Sequence, residues 1–192
     1  MSAPGARVRL VAKLYFRYGT MDSAKSMNLL AVAHNYRKQG KRVLLVKPRL
    51  DSRWGTGKIS SRCGLEADAD LLVDEAQFLP PAVIDDLRRI TVDPGVPVIC
   101  YGLRTDFRTR LFPGAQRLME LADRIEEVKV TCQYCAKKAI CNLRFVNGTP
   151  TVRGPQIQLG AEEQYAPVCW SHYDEATRTL AHDTSGAVLR PS

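Results

Sequence analysis

Gly19-Thr20-Met21-Asp22-Ser23-Ala24-Lys25-Ser26 follows an apolar, β-branched run and falls one residue short of the phosphate-binding pattern Gly-x-x-x-x-Gly-Lys-Ser/Thr. Such a loop turns successive backbone N–H groups inward as an anion nest at a helix N-terminus. Its Lys reaches the outer phosphates and its Ser serves Mg²⁺, so the stretch implies a nucleoside triphosphate. Ala24 stands where the second Gly is usual. A Cβ at a point of close backbone approach crowds the ligand or restricts the turn.

On the N-terminal side, Val8 to Phe16 reads as a first buried strand. On the C-terminal side the period becomes helical, with Leu29, Val32, Ala33 and Tyr36 on one face of a helix over Lys25 to Gln39 and Gly40 as its C-cap. Apolar runs at Arg42 to Lys47, Asp70 to Asp74 and Val96 to Gly102 predict three more strands, with a helix near Ala82 to Ile90 between the last two. This alternation predicts a parallel sheet with covering helices. A further helix is expected over Arg110 to Leu121 and a strand over Ile125 to Thr131. From Cys132 onward the rhythm shortens, with a hairpin signal at Asn147-Gly148.

The chain of 192 residues has a formal net charge of +8, which favours anionic ligands, but its basic residues are spread rather than gathered into one tract. It contains no apolar run of the roughly 18 residues that a membrane span needs. Met1 to Arg7 lacks the apolar core of a signal peptide, so a cytoplasmic location is the expectation.

A phosphate loop needs an acid at the end of a neighbouring strand to organise Mg²⁺, and Leu71-Leu72-Val73-Asp74 supplies one. Glu75 follows directly, so one acid can face the metal while the next acts as base toward an acceptor hydroxyl. The bland alternative is a strand that ends in solvent.

Six Cys in an apparently intracellular chain argue against a disulfide framework. Cys132-x-x-Cys135 and Cys169-x-x-His172 each present two ligands on a tight turn, as tetrahedral Zn²⁺ requires. Four protein ligands leave no position for a catalytic water, so the zinc is expected to be structural, clamping the base of a long excursion. Cys141 is a rival ligand, and a redox pair at Cys132 and Cys135 is the competing chemistry. Cys63 and Cys100 read as loop and core thiols.

The chain resembles the type II thymidine kinases, especially their bacterial members. The strings that carry this are Lys13-Leu14-Tyr15-Phe16 with the loop, Ala33-His34-Asn35-Tyr36, Lys47 to Gly55, Asp74-Glu75-Ala76-Gln77-Phe78, Tyr101-Gly102-Leu103-Arg104-Thr105-Asp106-Phe107-Arg108 and the Cys-rich end. The resemblance implies transfer of the ATP γ-phosphoryl to the 5′-hydroxyl of thymidine. It implies Glu75 as base, Lys25 and Ser26 as phosphate and Mg²⁺ residues, and Asp74 to Gln77 as a second nucleotide-contact segment. Arg53 matches an Arg near the transferred phosphates, where its charged fork suits equatorial oxygens. Phe107 and Tyr165 match positions that enclose the thymine ring. Gly160 keeps one of a Gly pair in a late loop, around Val152 to Tyr165, that holds the base by backbone groups, and Ala161 replaces the other.

The fold class implied is α/β, a P-loop (RecA-like) parallel sheet with helices on both faces and a small zinc-ribbon or lasso module. The expected divisions are a kinase domain over residues 1–131, a zinc module with a substrate-covering loop over 132–180, and a tail over 181–192. The partners implied are ATP and thymidine, in a homo-oligomer, typically a tetramer, with no membrane and no nucleic acid. Between Gly64 and Asp74 the chain is shorter than the family, which carries an additional helix there. Two other readings stay open. One is a nucleotide-binding homologue that has lost phosphoryl transfer, motivated by Ala24 and the short segment. The other is a basic zinc-ribbon ATPase acting on nucleic acid, which the absence of a concentrated Lys/Arg tract with interleaved aromatics opposes.

Overall fold

The computed structural model describes residues 12–48, 69–156 and 163–182. Arg53, Cys63, Gly160 and Ala161, the short segment before residue 69, the N-terminal part of the predicted first strand and the expected tail beyond 182 lie outside them.

The first sheet contains β1 (Leu14–Tyr18), β2 (Arg42–Val46), β3 (Ala69–Val73), β4 (Val98–Gly102) and β5 (Arg124–Glu127). Its strands run in the order β2-β3-β4-β1-β5, every neighbouring pair parallel. Among the described residues three helices cover it: α1 (Lys25–Lys38), α2 (Pro81–Val92) and α3 (Pro113–Leu121). Strand period 2 divides the side chains between two cores. Leu71 and Val73 point to one face, where they join Phe16, Ile84 of α2 and Leu118 of α3. Leu72 points to the other, against Leu29 and Ala33 of α1 together with Ile99 and Tyr101. Arg17 Nη1 donates to the Tyr101 hydroxyl at 2.7 Å, and that hydroxyl donates to Asn28 Oδ1 at 2.8 Å, tying α1 to the sheet through polar groups as well.

Two expected boundaries shift by three residues or more. The helix expected from Arg110 begins instead at Pro113, because a residue before Pro is held extended and Phe112 has φ −71 and ψ 144. Pro113 itself suits a first helical turn, where its missing N–H is no loss. The strand expected to reach Thr131 ends at Glu127, since its partner β1 ends at Tyr18 and the chain there turns into the Gly19 loop.

The second sheet is antiparallel, in the order β7-β6-β8, with β6 (Cys141–Val146), β7 (Thr149–Thr151) and β8 (Glu163–Val168). Asn147 at φ 50 and Gly148 at φ 76 form the turn between β6 and β7, the two positive φ values that a tight hairpin demands. Helix α4 (Trp170–His182) follows β8 and packs Tyr173 into a small core with Leu143 and Val168. No helix among the described residues is long and apolar enough to cross a membrane.

Candidate functional site

The loop of residues 19–24 leaves the C-terminal end of β1, where the neighbouring strands β4 and β5 diverge in chain order, the crevice in which parallel sheets hold ligands. Gly19 is required there: a Cβ would meet Ser23 Oγ at 2.3 Å and the Val128 carbonyl oxygen at 2.5 Å. Asp22 and Ala24 both take positive φ, at 58 and 59 degrees, curling the loop into the start of α1. Ala24 therefore adopts the conformation for which Gly is favoured, at a strain of about 1–2 kcal/mol.

Lys25 is 8% exposed, and its ammonium donates to the Thr20 carbonyl oxygen at 2.6 Å and to Ser23 Oγ at 3.2 Å. The ammonium thus bridges two groups of the loop from within. Burial pushes Lys25 below its ordinary value, opposed by the charges of Glu75, Asp74 and Asp22.

Opposite the loop, Asp74 follows β3 and its N–H donates to the Val46 carbonyl oxygen at 2.8 Å. Asp74 Oδ2 accepts from Ser26 Oγ at 2.8 Å, and Oδ1 accepts from the Glu75 N–H at 3.0 Å. A hydroxyl and a carboxylate in contact form the hard oxygen donor set that Mg²⁺ takes beside phosphates. Glu75 sits at φ 51, ahead of a single 3₁₀ turn, Ala76–Phe78. Gln77, 1% exposed, donates from Nε2 to Glu75 Oε2 at 2.6 Å and accepts from the Leu103 N–H at 3.0 Å. Ala76 is fully buried.

Of the residues expected to enclose a base, Phe107 is 1% exposed, with the Arg144 guanidinium 4.7 Å from its ring centroid. Tyr165 is half-buried on β8, in register with Arg144 of β6. Three residues that the sequence reading did not single out hold this region. Asp106 accepts from the N–H groups of Arg108 and Arg110, both at 2.9 Å, and from Gln156 Nε2 at 3.1 Å. The Tyr173 hydroxyl donates to the Phe107 carbonyl oxygen at 2.7 Å. Asn142 accepts from the Met21 N–H at 2.8 Å and donates to the Thr105 carbonyl oxygen at 3.3 Å, so the second sheet grips the phosphate loop. Asp106 was legible inside the quoted Gly-Leu-Arg-Thr-Asp-Phe-Arg string, whereas nothing local marks Asn142.

Cys132, Cys135, Cys169 and His172 bring their ligand atoms within 4.8 Å of one another. Cys132 and Cys169 Sγ each lie 3.4 Å from His172 Nδ1, and Cys135 Sγ lies 3.9 Å from Cys169 Sγ. A tetrahedron with Zn–S of about 2.3 Å has S···S edges of about 3.8 Å, so this donor set suits zinc. Burial opposes ionisation of Cys132, but hydrogen bonds from neighbouring backbone amides and His172 outweigh it and bring the thiol down to about 6. The rival Cys141 stands outside the cluster, at the start of β6, where burial pushes its thiol up to about 11. It is a core thiol, as is the fully buried Cys100.

Comparison with known proteins follows the same residues. Residues 12–173 match the family model described as thymidine kinase. A thymidine kinase of Lactococcus lactis subsp. lactis is 44% identical over 184 residues, covering 85% of this chain and 97% of the relative. One from Streptococcus pyogenes serotype M3 is 43% identical over the same shares, and one from Streptococcus gordonii is 44% identical, with 85% and 96% covered. Since 85% of 192 residues is fewer than 184, the relatives carry positions this chain lacks, a shortfall of the kind read before Asp74. Among solved structures, a Pif1 helicase from Candida albicans has a TM-score of 0.39 at 13% identity, covering 61% of this chain and 36% of that one.

Proposed function

The chain belongs to the thymidine kinase family, and we propose that its phosphate loop, the Asp74-Glu75 pair and the Cys/His cluster divide the work of that reaction among them. The protein phosphorylates thymidine with ATP, giving thymidine monophosphate and ADP. The observation that carries the site assignment is the hydrogen bond from Ser26 to Asp74, which joins the phosphate loop to the acid pair.

On this reading the backbone N–H groups of Gly19 to Ser26 cradle the phosphates of ATP. Lys25 leaves the Thr20 carbonyl for the outer phosphate oxygens, exchanging a neutral acceptor for a charged one. Ser26 and Asp74 would hold Mg²⁺, which screens phosphate charge when bound. Glu75 accepts the proton of the thymidine 5′-hydroxyl as its oxygen bonds to the γ-phosphorus. The bond from that phosphorus to the bridging oxygen breaks, and ADP leaves with the electron pair. Arg53 belongs to this machinery as a stabiliser of the equatorial oxygens. Asp74 to Gln77 form the second nucleotide-side segment, and Phe107, Tyr165 and Gly160 the thymine side.

Cys132, Cys135, Cys169 and His172 would hold a structural Zn²⁺, supported by the spacing of their donor atoms. We read residues 1–131 as a P-loop, RecA-like kinase domain, 132–180 as a zinc-ribbon module with a covering loop, and 181–192 as a tail. Family membership supports a homo-oligomer, tetrameric by resemblance. Met27 and Leu30, apolar yet 73% and 56% exposed on α1, are in keeping with assembly. The protein acts on small molecules in the cytoplasm, with no nucleic-acid partner.

The test is conversion of thymidine to its monophosphate with ATP and Mg²⁺, with Glu75→Gln as the control. Turnover by the parent and its loss by at least about a hundredfold in a folded Glu75→Gln protein supports the reading. Equal turnover by both removes Glu75 as base.

A further inference from the structure

We propose that Gln77, within the nucleotide-side segment of Asp74 to Gln77, serves as the positioning residue of the base, setting the orientation of the Glu75 carboxylate. The inference rests on the reading of Glu75 as base and adds the group that aims it.

Gln77 is 1% exposed, so its amide faces protein rather than a ligand in the cleft. Both ends of that amide are engaged. Its Oε1 accepts from the Leu103 N–H at 3.0 Å, and its Nε2 donates to Glu75 Oε2 at 2.6 Å. The assignment of the two amide ends is forced, because a backbone N–H can only donate and the carboxylate side accepts. The donor therefore points at the base.

The backbone around this contact is shaped to admit it. Glu75 takes φ 51, a conformation uncommon outside Gly, which turns the chain directly after β3 and brings residue 77 back under residue 75. Gly102 ends β4 beside it, where a Cβ would meet Gln77 Oε1 at 2.5 Å and the Gln77 nitrogen at 3.1 Å. Gly114 opens α3 on the far side, where a Cβ would lie 2.5 Å from the Leu79 carbonyl oxygen and 2.8 Å from those of Ala76 and Gln77. Two glycines thus let β4 and α3 close on the turn that carries Gln77.

A carboxylate rotates about its terminal bond with little resistance. A base must present one oxygen to a hydroxyl held by other elements, and a misalignment of about 1 Å costs on the order of a hundredfold in rate. The hydrogen bond from Gln77 restrains that rotation at Oε2. It also refers the base to Leu103, the start of the loop that runs on to Phe107, so Glu75 is aligned to the segment on the thymine side.

The discriminating variant is Gln77→Met, which is uncharged and close to Gln in volume, and which removes the amide donor without setting a second carboxyl against Glu75. Steady-state kinetics for both substrates are measured beside thermal melting. The expected result is a kcat lower by about 10–100-fold, with KM for ATP and for thymidine within about twofold of the parent, since the interaction matters only when the proton moves. The double variant Glu75→Gln with Gln77→Met is expected to lose no more than Glu75→Gln alone, because the two residues act as one unit. If Gln77→Met does not fold, Gln77→Leu gives the same reading through kcat. A folded variant with parental kcat, or a double variant whose losses multiply, overturns the proposal. If Glu75→Gln itself keeps full activity, the base assignment has failed instead, and the two failures are told apart by that control.

Discussion

The Ser26 hydroxyl donates to Asp74 Oδ2 at 2.8 Å across the gap between α1 and the end of β3. The two residues are 48 positions apart in the chain, and their contact is possible only because the loop after β1 and the end of β3 emerge on the same side of a parallel sheet. Asp74 is fixed further by the Glu75 N–H, so its second oxygen is also held. A carboxylate set beside a serine hydroxyl at the end of β3 offers the hard oxygen donors that suit a metal.

Asp74→Asn is accordingly expected to raise the Mg²⁺ concentration needed for half-maximal rate by about tenfold or more, since metal-site partners of this kind are worth about 10–100-fold. A Mg²⁺ titration of initial rate at saturating ATP and thymidine checks it. Melting temperature should barely change, because the residue replaces one polar contact by another at the site's edge. An unchanged Mg²⁺ requirement would exclude Asp74 from the metal side.

Ala24 gives a second prediction. Its φ of 59 is strained for a residue with a Cβ, and nothing caps α1 with a side chain there. Ala24→Gly relieves about 1–2 kcal/mol of that strain but restores glycine's freedom to the unfolded chain, worth about 0.4–1 kcal/mol the other way. A net gain of about 1 kcal/mol corresponds to a melting temperature higher by about 2–4 °C in a protein of this size. The KM for ATP should fall or hold steady. A large rise in kcat, by contrast, would mean that Ala24 keeps this chain's chemistry well below the capacity of its other residues.

Much of this was legible in the sequence for identifiable reasons. The central strands β3 and β4 are buried on both faces and read as short apolar runs, and α1 shows its period through Leu29, Val32 and Ala33. The four Cys/His positions were legible because zinc ligands come in close pairs on tight turns. The grip of Asn142 on Met21 was not, since it joins residues 121 positions apart and depends on how the second sheet lies against the first. The same holds for Gln77: the Asp-Glu-x-Gln-Phe string marks it as important, but only the fold shows that its amide turns inward. The start of α3 was misplaced because Arg110 to Phe112 carry helical composition while Pro113 dictates extended backbone before it.

The Cys/His cluster predicts an asymmetric loss when metal is removed. Cys169 and His172 flank the start of α4, and the next residue, Tyr173, holds the Phe107 carbonyl oxygen at 2.7 Å. Stripping zinc with a chelator, or replacing Cys132 by Ser, should therefore raise KM for thymidine several-fold more than KM for ATP. Tyr173→Phe, which leaves the cluster intact, should reproduce part of that rise by freeing Phe107. The check is a pair of substrate titrations on each protein, with bound zinc measured in parallel. Equal effects on both substrates would make the cluster a general support of the fold.

Asn142 carries the last prediction. It is 3% exposed, and it satisfies the Met21 N–H inside the phosphate loop while reaching the Thr105 carbonyl on the other side. Asn142→Leu keeps the volume and removes both bonds, leaving a loop amide without its partner at a penalty of about 1–3 kcal/mol. Part of that penalty falls on the folded state and lowers the melting temperature. The rest falls on the nest, because an amide released from Asn142 is free to turn away from the phosphate position. KM for ATP should rise, and added ATP should raise the melting temperature less in the variant than in the parent, since stabilisation by a ligand shrinks as its affinity falls. Melting curves with and without ATP distinguish this from simple destabilisation, in which the variant would gain as much from ATP as the parent does.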